Sequence, residues 1–378
     1  MRIDWARLSA GERGRVIAEA GGVLGGGGLV VMPTETVYGV GGLVTSGEAM
    51  GRLARATGRA EGAPVAWHAL DAEKALGVVG EVTEAWRFVA RRLTPGPVTL
   101  QVPVGEGERA RLEGVLGSGA GLVVSEGEML VRVPSDEVAR GVIGEVDGVV
   151  GAVGASRGAM SVRAPEEGWS GEERIEMTID AGPTRWRGAS TGVRLMRGKG
   201  CEVAREGVLR AKDVERMLRP VVLFVCSGNT CRSPMAAAIA GAEISKVFAG
   251  LRAAGLEGPV ARSAGTWAGE GAPATPEGVE AVRKLGVTMG RHVSRGLTRE
   301  MALDASVIYA MTGSHLEAIR SMAPEAAGKA MLLDQGGRDV PDPVGGGQGI
   351  YDEAARRIGE HVRERVSGLA RMWIGAKT

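Results

Sequence analysis

The sequence predicts two unlike parts: a sheet-rich α+β domain over residues 1–218, then a doubly wound α/β domain with a parallel sheet over residues 219–378. Three observations carry this expectation. The 378 residues suit two domains, each large enough to bury its own core. Beyond residue 220, short apolar runs alternate with helical spacing, as in parallel strands covered by helices on both faces. Before it, apolar runs outnumber helical stretches and the alternation is irregular.

In the first part, apolar runs at 29–32, 97–103, 121–124, 129–133, 148–153 and 176–180 read as strands. Helical spacing covers Glu12–Leu24, Ala49–Thr57 and Ala85–Leu93. An amphipathic stretch, AKDVERML, precedes Pro220 and places the junction within Ala211–Arg219, with no long Gly/Ser or Pro linker. In the second part, the expected strands are 221–225, 261–265, 305–311 and 330–333. The helices between and after them are Ser233–Val247, Thr275–Leu285 opened by Thr-Pro, His315–Met322 and Tyr351–Trp373. A sheet so built places its ligand site at the carboxyl ends of the strands.

Composition narrows the function classes. The 46 Lys and Arg nearly cancel 45 Asp and Glu, so no global field points to nucleic acid or membrane. The opening MRIDWARLSAGERGRVIAEAG is charged throughout, and no later stretch has the roughly 20 apolar residues of a span, so neither a signal peptide nor a membrane partner is expected. Three cysteines fit a reduced, cytoplasmic setting. The 62 glycines are dispersed, so GGVLGGGG before Leu29 reads as a loop rather than a phosphate cradle.

The chemistry begins at VVLFVCSGNTCRSPMA (221–236), where Cys226 and Arg232 bracket a tight loop between a strand and a helix. Such a loop turns backbone N–H groups inward, and with the helix N-terminus it makes an anion site. Arg232 has the fork that clamps two phosphate oxygens, and the same positive field favours a Cys226 thiolate. A phosphate is then held over a nucleophile, and the leaving group needs a proton from elsewhere in the chain. Asp342, stiffened by Pro341 and Pro343 in DVPDPVGGG, is the candidate acid. No third His or Cys follows at ligand spacing, so no metal is expected. His292, His315 and His361 read as surface or helix-cap residues outside this chemistry.

The series Cys226-Ser227-Gly228-Asn229-Thr230-Cys231-Arg232-Ser233, then RSAG (262–265), then Asp342-Pro343, resembles the low-molecular-weight protein-tyrosine-phosphatase family over about residues 220–374. The resemblance implies a flavodoxin-like fold acting without a cofactor on a phosphorylated protein. It makes Cys226 the nucleophile, Arg232 the phosphate ligand and Asp342 the general acid. Asn229 and Ser233 would hold the loop and the thiolate, and Cys231 would pair reversibly with Cys226 to shield it from overoxidation.

Three substrate classes share this family. Arsenate reductases need further cysteines later in the domain, and only Cys226 and Cys231 fall within it. Tyrosine phosphatases commonly have an aliphatic residue at the position of Thr230 and aromatics after the Asp-Pro, where this chain has Val344-Gly345-Gly346. The run GNTCRSPMA, with Tyr351 six residues after Gly345, is more similar to the bacterial protein-arginine-phosphatase branch, although that branch usually has phenylalanine where Val344 stands. Trp267 is an alternative wall for the substrate. Phosphoarginine and phosphotyrosine both stay open.

In the first part, LVVMPTETVYGVGG (29–42) is followed in order by TPGPVTL (94–100), VRVP (131–134), IDAGP (179–183), AST (189–191) and AREG (204–207). Together they resemble the YrdC-like threonylcarbamoyl-adenylate synthases over about residues 12–218. That implies an α+β twisted sheet using ATP with Mg, L-threonine and bicarbonate to make an adenylate for tRNA modification, with RNA as a partner. By position, Thr34, Thr36 and Tyr38 would bind threonine or the adenylate, Arg59 the phosphates, Ser156 the nucleotide, and Ser190 with Arg194 the distal pocket. Two positions depart: Thr57-Gly58-Arg59 stands for Lys-x-Arg, and Ser156-Arg157-Gly158 for Ser-x-Asn. Losing the lysine removes a charge-assisted contact of about 1.5–3 kcal/mol. A ligand-sensing module that regulates or targets the phosphatase is therefore the alternative to a working synthase.

Overall fold

A computed structural model describes residues 1–154 and 173–376. The chain divides into two compact units, Met1–Glu215 and Arg216–Thr378. Among the described residues no helix is long and apolar enough to cross a membrane.

The first unit is built on one mixed sheet. Among the described residues its strands run, edge to edge, Arg2–Asp4, Met177–Asp180, Val30–Met32, Gly39–Leu43, Val150–Gly154, Ala66–His68, Glu128–Arg132, Val98–Pro103, Thr191–Leu195 and Cys201–Arg205. A short strand, Val124–Ser125, pairs beside Glu128–Arg132. Parallel and antiparallel pairs are interspersed, which gives the α+β character. Helix Ala10–Gly25, opened by a Ser9/Glu12 capping box, packs with Glu137–Gly144. Between them and the sheet, Leu24, Val30, Met32, Val142, Val150 and Ile179 form one core.

Two expectations change here. The apolar run at 121–124 is mostly a 3-10 helix, Gly117–Val123, because Gly119 lies against the backbone of Val44: a Cβ there would sit 2.5 Å from the Val44 carbonyl oxygen. Strands Gly39–Leu43, Ala66–His68, Thr191–Leu195 and Cys201–Arg205 have no separate signal in the apolar runs. They are three to five residues long; Ala66–His68 pairs with strands remote in sequence, whereas Gly39–Leu43 forms a hairpin with Val30–Met32 and Thr191–Leu195 one with Cys201–Arg205.

The second unit has four parallel strands in the order Val260–Gly265, Val221–Cys226, Ala305–Ala310 and Ala330–Leu332. In chain order this is 2-1-3-4, the flavodoxin-like winding, with its switch point beside the first strand. Helices Arg232–Val247, Pro276–Lys284 and Gln348–Ile374 pack on one another. A separate core of Leu223, Val225, Ile308, Ala310 and Ile319 lies toward helix Gly313–Met322. The strand Val221–Cys226 is therefore buried on both sides and ends, at Cys226, on the loop that carries the chemistry.

Candidate active site

The loop from Cys226 to Arg232 leaves the central strand and enters helix Arg232–Val247 with Arg232 as the first helical residue. The peptide N–H groups of Gly228, Asn229, Thr230 and Cys231 find no acceptor among the described residues. They are the donors that an oxyanion would satisfy.

The loop is held from behind. Asn229 is fully buried in the left-handed region at φ 53°. Its Nδ2 donates to Ser233 Oγ at 2.9 Å, its Oδ1 accepts from Arg295 N at 3.0 Å, and its carbonyl accepts from His292 Nε2 at 2.7 Å. Thr266 N and Trp267 N donate to the carbonyls of Cys226 and Ser227. Gly265 makes this approach possible, since a Cβ there would lie 2.3 Å from the Ser227 carbonyl oxygen.

Cys226 Sγ lies 3.0 Å from Ser233 Oγ. Asn229 donates into that hydroxyl, whose own proton has two acceptors in reach, the sulfur at 3.0 Å and Ala264 O at 3.3 Å. Arg232 is buried; its Nη1 donates to Val340 O at 3.1 Å, and its Nη2 reaches Ser227 Oγ at 3.4 Å and the Asp342 carboxylate. Its Nε has no partner among the described residues. Asp342 Oδ1 accepts from Val344 N, so the carboxylate is presented by an Asx turn between two prolines. Cys226, Arg232, Ser233 and Asp342 are thus brought together from a strand end, a helix start and a remote loop.

At the mouth, Trp267 is 88% exposed and Val344 is 65% exposed. Thr230 Oγ1 faces Cys231 Sγ at 3.6 Å, and on its other side Cys231 Sγ lies 3.4 Å from Tyr351 OH. Burial and the neighbouring Cys231 push the Tyr351 phenol up to about 12, so it is a neutral hydroxyl at any physiological pH.

Comparison with known proteins matches the second unit to the family of low molecular weight phosphotyrosine protein phosphatases over residues 221–372. Residues 22–207 match a YrdC-like family described as telomere recombination. A protein-arginine-phosphatase of Bacillus subtilis is 35% identical over 152 residues, which are 39% of this chain and 95% of that protein. A low molecular weight protein-tyrosine-phosphatase of Streptomyces coelicolor is 34% identical over 39% of this chain and 97% of its own length. A putative threonylcarbamoyl-AMP synthase of Mycobacterium leprae is 31% identical over 49% of this chain and 80% of its own length. The chain belongs to both families, one in each half.

In the YrdC-like half, a cavity of about 460 Å³ opens beside Thr34, Glu35, Ser135, Asp136, Gly182 and Thr184. Thr34 lines it, but much of the expected set is engaged elsewhere. Thr34 Oγ1 donates to Val37 O and contacts Thr36 Oγ1 at 2.9 Å. Tyr38 is fully buried, donating to Gly182 O and accepting from Ala181 N, so it ties the strand end to the 181–182 turn. Arg59 donates to Pro64 O. Ser190 shares a hydrogen bond with Thr99, and Arg194 is paired with both Glu128 and Glu202. Ser156 lies outside the described residues. At the family's lysine position, Thr57 is buried and donates back to Leu53 O at 2.8 Å.

Two groups stand out that local sequence does not announce: Arg132 as the partner of the pocket-lining Glu35, and two histidines beside the phosphate loop. Glu35 and Arg132 form a buried ion pair at the cavity wall; Glu35 also accepts from Ser135 N, and Arg132 Nη1 has no partner among the described residues. The charge within the apolar VRVP was the available signal. His292 and His315 are the second group, and their surface or helix-cap reading is corrected: His292 donates to the phosphate loop, and His315 is buried with Nε2 2.8 Å from Ser227 Oγ. They lie 63 and 88 residues from the loop positions they touch, so no local pattern announces them.

Proposed function

We propose that the phosphatase half hydrolyses protein phosphoarginine through a cysteinyl-phosphate. The observation that carries the chemistry is the juxtaposition of Cys226 Sγ, the free loop N–H groups and the unpartnered Nε of Arg232. A phosphoryl group bound there competes with Asp342 for Arg232, which releases the carboxyl group to act as the acid. The Cys226 thiolate then attacks phosphorus, the bond to the leaving nitrogen breaks, and that nitrogen takes the Asp342 proton. Water attacks the thiophosphate next, giving its proton to the Asp342 carboxylate and releasing the thiolate.

The substrate choice rests on Thr230. A hydroxyl at the loop tip offers polar contact to a guanidinium, while Val344 departs from both branches and favours neither. Overall similarity does not decide, since relatives named for arginine and for tyrosine are 35% and 34% identical. Hydrolysis of phosphoarginine and phosphotyrosine peptides by the parent chain and Cys226→Ser tests the reading. Thr230→Ile is expected to move the ratio toward phosphotyrosine; an unchanged ratio removes the main support for arginine.

For the YrdC-like half, the synthase reading requires ATP, L-threonine and bicarbonate at one site, feeding tRNA modification. A ligand-binding module is favoured by one observation: the cations Arg59 and Arg194 are committed to protein acceptors, and the cavity wall sets Glu35, Asp136 and Glu137 against Arg185. Pyrophosphate release from ATP that depends on threonine and bicarbonate would restore the synthase. Retained threonine or nucleotide binding without it is the expected result.

A further inference from the structure

Three side chains continue the site away from the phosphate. His315 stands near the start of helix Gly313–Met322, buried, with its two ring nitrogens engaged in opposite directions. Nε2 is 2.8 Å from Ser227 Oγ, and Nδ1 is 2.8 Å from Thr312 Oγ1. Thr312 Oγ1 in turn lies 2.8 Å from Ser314 Oγ. At the near end, Arg232 Nη2 reaches the same Ser227 hydroxyl at 3.4 Å.

Donor arithmetic gives the row a direction. Arg232 has only donors, so Ser227 Oγ accepts from it and keeps its own proton to give. The acceptor available is His315 Nε2, which leaves the ring proton on Nδ1 to donate to Thr312 Oγ1. The Thr312 proton then goes to Ser314. Each heavy atom in this row is satisfied once the imidazole is neutral.

We infer that His315 is a positioning residue of the phosphatase site: it fixes the Ser227 hydroxyl so that a lone pair faces Arg232 and holds the guanidinium in register for the phosphoryl oxygens. The inference rests on the phosphatase reading of the cysteine loop. It adds a component that the loop sequence does not contain, through a helix on the far side of the sheet switch point. When the Asp342 carboxylate leaves that contact to act as acid, Val340 O still holds Nη1 and Ser227 Oγ is the acceptor left to Nη2.

The arrangement is pH-sensitive. Burial, and then the Arg232 charge, hold His315 below its ordinary value of 6.5, while Asp342 and Asp339 act in the opposite direction. Above that range the ring is neutral and accepts from Ser227. When acid protonates it, Nε2 becomes a donor, the Ser227 proton is turned away, and a second cation faces Arg232.

The test compares kcat/KM on an aryl phosphate, as a function of pH, for the parent and for Ser227→Ala, His315→Phe, His315→Gln and the Ser227→Ala/His315→Phe pair. Affinity for inorganic phosphate is measured beside it by calorimetry. The expected losses are about tenfold for Ser227→Ala and for His315→Phe, and about tenfold, not a hundredfold, for the pair, because both act through one contact. His315→Gln, whose amide can still reach Ser227, keeps most of the activity but loses the parent's extra inflection on the acid side. Multiplicative losses in the pair, or acid limbs that coincide in parent and His315→Gln, would overturn the inference. Should His315→Phe fail to fold, Ser227→Ala and His315→Gln decide alone, on activity and acid limb respectively. A parent that binds phosphate but turns over no phosphoester defeats the phosphatase reading instead, and phosphate affinity in the same variants still judges the role of His315.

Discussion

The two halves treat their polar groups in opposite ways. In the phosphatase unit, Asn229, Ser233, His292, Gly265 and the 266–267 backbone hold the loop from behind, so the N–H groups of Gly228 to Cys231 and the Nε of Arg232 are left for a ligand. In the YrdC-like unit, Tyr38, Arg59, Ser190 and Arg194 spend their hydrogen bonds on the protein itself. A site is therefore recognised less by which residues it contains than by which of their donors remain unspent.

This contrast can be broken at Arg132. If the Glu35–Arg132 pair belongs to the fold, Arg132→Leu strands a buried carboxylate and destabilises the first unit by about 3–5 kcal/mol. Hydrogen exchange in strand Glu128–Arg132 under denaturant measures it; near-wild-type protection would make the pair a ligand site rather than a fold element.

His68 sharpens the same point with pH. It is buried, donates through Nδ1 to Ala66 O, and burial lowers it from 6.5 to about 4. The folded ring stays neutral while the unfolded chain takes up a proton below 6.5. Stability of the first unit therefore falls as pH drops from 6.5 toward 4, by about 3 kcal/mol in total. Exchange protection of strand Ala66–His68 should follow that curve, and His68→Gln should flatten it.

In the second unit the smaller change should strike function and spare the fold. Gly265→Ala forces a Cβ against the Ser227 carbonyl, so the loop must shift while the strand beneath it persists. A loss of roughly 100-fold in kcat/KM is expected, since displacements of about 1 Å cost that much. Thermal unfolding of the variant close to the parent's would place the effect in the loop, whereas equal losses of stability and activity would make Gly265 merely a packing residue.

How much of this was legible varies with distance along the chain. VVLFVCSGNTCRS could be read because strand, loop and helix start are contiguous and each residue type has a local reason. The same holds for helix Pro276–Lys284, which its Thr-Pro opening marks. What escaped depends on remote contacts. His315 needs Ser227, 88 residues away, and Ala66–His68 is a strand only because Val150–Gly154 and Glu128–Arg132 lie on either side of it. The first unit's candidate residues were placed by position within motifs, and motif position does not say whether a neighbour has already taken a side chain's hydrogen bonds.

The central claim is that Cys226 carries the phosphoryl group. Rapid mixing of Asp342→Ala with a phosphorylated substrate, followed by acid quench and peptide mass spectrometry, tests it most directly, since loss of the acid and base slows release of the intermediate. The account predicts one phosphoryl group per chain on the peptide containing Cys226, absent when Cys226→Ser is added. A phosphoryl group on another residue, or turnover by Cys226→Ser at the parent's rate, would contradict it.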